Sequence, residues 1–312
     1  MVKFAFVFPG QGSQAIGMMS GFTAHPVVRE TFAEASEVLG NDLWALAENG
    51  PADALNLTAN TQPLMLTAGI ATYRAWRASG GRSPDIVAGH SLGEYTALVA
   101  AEAIAFRDAL PLVRYRAQAM QDAVPQGMGA MAAIMGGEDD AVADACAEAQ
   151  QGQVVTPVNF NAPGQIVIAG HKEAVERAMV AAKLKGAKRA VLLPVSAPFH
   201  SSLLEPAAAK LAARLAQINV QPPKIPVVHN VDVTEHAHPD EIRAALAQQA
   251  ARPVRWSETV RLLAASGVHQ VIECGPGRVL AGLTRRIAEN VHAHALIDSD
   301  AIDETLAAMN AA

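Results

Sequence analysis

The 312-residue chain has only two cysteines, Cys146 and Cys274, which rules out a disulfide framework. That scarcity points to a reducing compartment, the cytoplasm by default. Aromatic residues are 4% of the chain, so alanine, valine and leucine must fill the core. Charged residues are 17% against 51% hydrophobic, too little charge and too much apolar surface for a disordered chain. Positive charge is in deficit, with 24 basic and 30 acidic residues and a net charge of −6. A nucleic-acid surface needs a cationic stripe, so nucleic acid is not an expected partner; the balance leaves room only for a small local basic patch. Long apolar runs are missing too. Residues 1–8 are apolar, but Pro9-Gly10-Gln11-Gly12 ends the run too early for a signal-peptide core. The richest later stretch, 97–106, is interrupted by Glu102 and falls short of a membrane span. The expectation is a compact, soluble, cytoplasmic protein with no membrane association, no internal repeat and no flexible linker.

What is present is an alternation of strand and helix patterns. Residues 2–8 read as a buried strand, 64–78 as a helix, 85–88 as a short strand and 92–101 as a helix. Phe106, Ala109, Leu110, Val113, Ala117, Met120 and Val124 recur at helical spacing. Such alternation predicts a parallel α/β sheet. Gln126-Gly127-Met128-Gly129 then breaks the pattern. Strands at 130–135, 154–159, 165–169 and 189–195, with helices at 139–150 and 172–185, give the order βαββαβ of a ferredoxin-like unit. The larger pattern resumes with a helix at 203–217, a strand at 226–231, helices at 240–250 and 257–265, and a strand at 270–274 that ends in Gly275-Pro276-Gly277 before a further helix. The expected organisation is a large α/β domain of residues 1–126 and 196–312, with a small domain, 127–195, inserted in it.

Gly89-His90-Ser91-Leu92-Gly93 has the G-x-S-x-G pattern. Alone it is a weak signal. Here it follows a strand and opens a helix, the setting that a nucleophile elbow requires. Small residues permit the strained turn, and the turn lifts the Ser91 hydroxyl to a helix N-terminus. Free N–H groups and the dipole there favour a developing negative charge. The competing reading is an ordinary tight turn with Ser91 as N-cap. A serine nucleophile needs a base. Of ten histidines, His90 adjoins the serine and should point away from it, His229 reads as lying inside a strand, and His236 and His238 sit in a polar stretch. His200, in Ser196-Ala197-Pro198-Phe199-His200-Ser201, comes just after the 189–195 strand, and loops at the carboxyl ends of parallel strands build the active sites of such sheets. A helix-capping role is its alternative.

Phe8-Pro9-Gly10-Gln11-Gly12-Ser13-Gln14 lets the backbone approach a ligand closely, but lacks a P-loop lysine and the dinucleotide spacing. It could supply an oxyanion donor instead. On the 106–124 helix Arg116 lies at the edge of the buried face, about 60° from the centre of the apolar stripe. Buried arginines usually pair with carboxylate or phosphate, and helix geometry alone favours an internal salt bridge or a snorkelling side chain. His236-Ala237-His238 with Asp240 reads as a solvated loop rather than a metal site. Lys183, Lys185, Lys188 and Arg189 cluster at a helix end, and with Arg285-Arg286 are minor candidates for docking an acidic partner.

Taken in order, Phe8-Pro9-Gly10-Gln11-Gly12-Ser13-Gln14, Thr61-Gln62-Pro63, Gly89-His90-Ser91-Leu92-Gly93-Glu94, Pro157-Val158-Asn159-Phe160-Asn161, His200 and Gly275-Pro276-Gly277 resemble the bacterial malonyl-CoA:acyl carrier protein transacylases of type II fatty acid synthesis. The resemblance spans essentially the whole chain. It implies a hydrolase-like α/β domain with a ferredoxin-like insertion, Ser91 as nucleophile and His200 as general base and acid. It implies an oxyanion hole from the N–H groups of Gln11 and Leu92, and Arg116 as the ligand of the malonyl carboxylate. The main-chain carbonyl of Gln249 would orient His200, so no third acid is needed, and His90 belongs to the substrate-binding set. Phe199 is the residue that accompanies malonyl selection in related polyketide domains. The implied partners are malonyl-CoA and acyl carrier protein, with no cofactor or metal, in a monomer. The alternatives are a serine esterase or thioesterase, an acyltransferase loading a polyketide carrier, and a non-catalytic carrier-binding module.

Overall fold

In the computed structural model, which describes residues 2–195 and 197–311, nine strands are seen: β1 (Phe4–Phe8), β2 (Ile86–Gly89), β3 (Gly129–Met135), β4 (Val155–Ala162), β5 (Gln165–His171), β6 (Arg189–Leu192), β7 (Val227–Val228), β8 (Gln270–Cys274) and β9 (His292–Leu296). They form two sheets. The larger has the order β7-β2-β1-β8-β9 and is parallel throughout. β1, β2 and β8 are buried at every position, as apolar runs in a parallel sheet covered on both faces should be. Successive side chains of β1 divide between those faces. Phe4, Phe6 and Phe8 join a core with the helices Pro26–Leu39, Thr58–Ala78 and Phe106–Gln121, whereas Ala5 and Val7 face the helices Trp256–Ala265 and Val279–Ile287. The few aromatics are concentrated here, with Phe6 edge-on to Phe8, Tyr73 and Trp76.

The smaller sheet is antiparallel with the order β4-β5-β3-β6, the ferredoxin-like arrangement that βαββαβ predicts. Helices Asp139–Ala149 and Lys172–Leu184 cover one face and enclose a separate core. From the other face Met131, Val167 and Ala169 join the core of the large unit. The small sheet therefore packs against the large unit, with Asn161 of β4 hydrogen-bonded to His90 just after β2.

Several elements differ from expectation. The helix expected from 64 begins at Thr58 and carries Pro63 inside it, because the burial of nearly every residue from Thr58 to Ala71 outweighs one lost backbone bond. β7 is two residues long, so His229 lies beyond the strand rather than in it. β6 ends at Leu192 and belongs to the antiparallel sheet, so His200 does not follow a strand of the parallel sheet. The helices Pro26–Leu39, Leu43–Asn49 and Ala52–Asn56, strand β9 and the helix Ser299–Ala311 add to the elements expected from the sequence. Ser196 lies outside the described residues. Among the described residues, no helix is long and apolar enough to cross a membrane.

Candidate active site

The turn after β2 explains both glycines of its motif. A Cβ at Gly89 would sit 1.9 Å from the Gly93 carbonyl, and one at Gly93 would sit 2.0 Å from the Phe8 carbonyl oxygen. The turn thus closes on itself and on β1 too tightly for any side chain. Ser91 takes the strained φ of 53° with ψ −111°. The helix Leu92–Ala100 starts at the next residue, so the Leu92 amide is one of the orphan donors at its end. Asn230 clamps the turn from across the fold. Its Oδ1 accepts from the Ser91 amide at 2.8 Å and its Nδ2 donates to the Gly89 carbonyl at 2.7 Å.

His200 Nε2 lies 2.7 Å from Ser91 Oγ, and its Nδ1 lies 2.7 Å from the Gln249 carbonyl oxygen. A carbonyl can only accept, so Nδ1 carries the ring proton and Nε2 is left to accept from the serine hydroxyl. His200 also has a positive φ, 64°, and its amide donates to the Ala250 carbonyl. What places it is the return of the chain from the small domain, pinned to the end of the helix Pro239–Gln249. Burial, and next the nearby Arg116 cation, push its pKa down to about 3, with the Gln249 carbonyl opposing. The imidazole is neutral and free to accept a proton.

Arg116 is 1% exposed. Its Nη1 donates to Gln62 Oε1 at 2.8 Å, and its Nη2 to Gln249 Oε1 at 2.8 Å and Ser91 Oγ at 3.1 Å. The guanidinium sits 5.3 Å from the Tyr95 ring centre, and Nε is buried with no hydrogen-bond partner. Neither the internal salt bridge nor the snorkelling side chain favoured by helix geometry is found. The partners are neutral amides and the hydroxyl. Among the described residues no anion bonds this buried cation directly, and it sits beside the serine.

Ser91, His200 and Arg116 line one cavity of about 110 Å³, together with Gln11, Gln62, His90, Leu92, Met120, Met131 and Phe199. An open groove of about 800 Å³, which shares Gln11, Leu193 and Val195 with it, leads away between β3 and β6 of the small sheet and the helices Ala52–Asn56, Thr58–Ala78 and Phe106–Gln121. His90 directs Nε2 to Asn161 Oδ1 at 2.8 Å, away from the serine. The remaining candidates are outside the cavity. His236 Nε2 pairs with Asp232 at 2.7 Å, His238 caps the next helix, and the described residues hold no His, Cys, Asp or Glu group placed for a metal. Lys185 pairs with Glu148, Arg285 donates to the Ala293 carbonyl, and Arg286 to the Pro163 carbonyl.

Sequence reasoning gave no role to Asn230, Glu94, His229 or the side chains of Gln62 and Gln249. Glu94 alone carried a signal. It lies in a helix whose nine residues are all buried, and a buried acid needs partners.

The acyl transferase domain family matches residues 5–306. The malonyl CoA-acyl carrier protein transacylase of Escherichia coli K12 is 56% identical over 307 residues, covering 98% of this chain and 99% of that one. That of Bacillus subtilis is 44% identical, covering 97% and 96%. Among solved structures, the acyl-carrier-protein S-malonyltransferase of Burkholderia pseudomallei superposes with a TM-score of 0.97 at 62% identity, covering 98% and 100%. A malonyl-transacylase in complex with its type II PKS acyl-carrier protein gives 0.96 at 53%, covering 98% and 99%.

Proposed function

The chain belongs to the acyl transferase domain family, and from that membership we propose that it moves the malonyl group of malonyl-CoA to the phosphopantetheine thiol of an acyl carrier protein. Ser91 is the nucleophile. As it attacks the thioester carbonyl, its proton passes to His200 Nε2. The N–H groups of Gln11 and Leu92 hold the oxyanion, each worth about two orders of magnitude in rate. The tetrahedral intermediate collapses, the C–S bond breaks, His200 returns the proton to the sulfur, and CoA departs as the thiol. A malonyl-serine ester remains. The carrier thiol, deprotonated by His200, repeats the sequence in reverse, so the transfer is ping-pong. The carbonyl of Gln249 holds the imidazole, so no third acid takes part.

The single observation that carries this reading is Arg116, a buried guanidinium 3.1 Å from Ser91 Oγ with no anion bonded to it among the described residues. The free carboxylate of a malonyl group supplies the missing anion, as a two-pronged pair. An esterase or thioesterase has no use for such a group. The protein works as a cytoplasmic monomer in fatty acid synthesis, with malonyl-CoA and carrier protein as its partners. The test is to mix purified protein with malonyl-CoA alone, quench, and weigh the Ser91 peptide. A malonyl adduct that moves to added acyl carrier protein is the expected result. Free malonate with no lasting adduct would identify a hydrolase instead.

A further inference from the structure

Glu94 is fully buried beside the elbow, and its amide donates to the Ser91 carbonyl at 3.1 Å, while the partners of its carboxylate lie elsewhere. It accepts three hydrogen bonds, from His229 Nδ1 at 2.7 Å, the Asn230 amide at 3.0 Å and Gln249 Nε2 at 2.8 Å. The last contact has a directional consequence. A carboxylate accepts and a guanidinium donates. The Gln249 amide lies between the two, with Nε2 on Glu94 and Oε1 on Arg116. Turned over, the same amide would set N–H against N–H at Arg116 and oxygen against oxygen at Glu94. Gln249 Nε2 also donates to the Ser91 carbonyl at 2.8 Å, and the Gln249 carbonyl holds His200. One side-chain amide, aimed by one acid, therefore meets the nucleophile's turn and the cation.

We propose that Glu94 is a positioning residue for acyl selection: through the Gln249 amide it fixes which N–H groups of Arg116 are occupied, leaves the others facing Ser91 for the acyl carboxylate, and supplies, one amide away, the negative charge that lets the guanidinium stay buried without a direct anion. The inference rests on the reading of Ser91 and Arg116 given above. Glu94→Gln removes the charge and lets the neighbouring amide turn while nearly keeping the shape.

Three rates are compared in the full-length protein: labelling of Ser91 by a neutral fluorophosphonate, acylation by malonyl-CoA and acylation by acetyl-CoA. Labelling reports a folded elbow with a working base. Glu94→Gln is expected to label within about threefold of wild type, to lose about 10- to 100-fold in malonyl kcat/KM, and to lose less than about threefold with acetyl-CoA. Placed on Gln249→Met it should add less than about threefold, because both act through one amide. Equal losses with both donors, or effects that multiply in the double variant, would overturn the proposal. If Glu94→Gln does not label, Glu94→Asp is judged by the same ratio, and failure of both to label makes Glu94 a purely structural residue. Absence of any malonyl adduct on wild-type Ser91 would instead sink the reading beneath it.

Discussion

Replacing Arg116 by methionine keeps most of the side chain's volume and removes its charge, and the effect on two acyl donors can be estimated from the site. Breaking a buried ion pair costs about 3–5 kcal/mol. In the free protein Arg116 already donates to Ser91 Oγ at 3.1 Å, a bond that the incoming carboxylate replaces, so about 1 kcal/mol must be subtracted. The malonyl group should then lose about 2–4 kcal/mol, roughly 30- to 1000-fold in kcat/KM. Acetyl-CoA has no carboxylate to lose. Removing the cation also removes the second cause of the depressed His200 pKa, so acetyl transfer should fall less than about threefold. Gln62 Oε1 and Gln249 Oε1 would lose their donor, which lowers stability by about 1–3 kcal/mol for each, so melting is followed alongside. Quenched reactions with each donor, read as adduct mass on the Ser91 peptide, give both rates. Equal losses for malonyl and acetyl would refute the carboxylate role, whatever their size.

Gly93→Ala places a Cβ 2.0 Å from the Phe8 carbonyl and should cost more than about 4 kcal/mol, so a variant that melts with wild type by circular dichroism would contradict the packing of the elbow. His200 is neutral when folded down to about pH 3 and has an ordinary value of 6.5 when unfolded, so between those limits the unfolded chain binds the extra proton and stability falls as the pH falls. Urea melts at pH 7 and pH 5 should therefore show wild type losing about 1–2 kcal/mol more than His200→Gln, and parallel losses would argue against it. Glu273 in β8 is the reverse case: burial raises its pKa from 4.5 to about 7, against the Ala281 amide that donates to it at 2.8 Å. There the folded protein binds the extra proton, so stability falls as the pH rises from 4.5 to 7. Glu273→Gln should gain up to about 3 kcal/mol on wild type between pH 4.5 and pH 8, and a constant difference would exclude the effect.

The parts of the site that were legible in the sequence are those fixed locally. Ser91 could be read because a strand, two glycines and a helix surround it, and the short Cβ distances show why that spacing is obligatory. The βαββαβ order was readable because each element is short and bounded by turn residues. His200 was singled out for a reason that fails, since its strand is antiparallel. Its position is set by contacts with Gln249 and Ala250, about fifty residues away in the chain. The burial of Arg116 follows from helix period, but its neutral partners do not, because Gln62 and Gln249 approach from other elements. Asn230 and the Ser91 amide are 139 residues apart, a pairing that no local pattern encodes.

The oxygen that holds His200 Nδ1 belongs to a peptide bond, and that has a consequence for what can be expelled. A carboxylate in its place would stabilise the imidazolium with a full charge; a carbonyl offers only a dipole. Burial and the Arg116 cation weaken the base, the carbonyl dipole only partly opposes them, and the acid it becomes is correspondingly strong. A thiol, with a pKa near 8.5, is a good leaving group and needs little driving force from the proton that His200 returns to it. On the proposed reading the site is selective at both ends of its substrate: Arg116 for the acyl carboxylate, and a weak base without a carboxylate partner for a thiol, which gives up its proton far more readily than an alcohol or water.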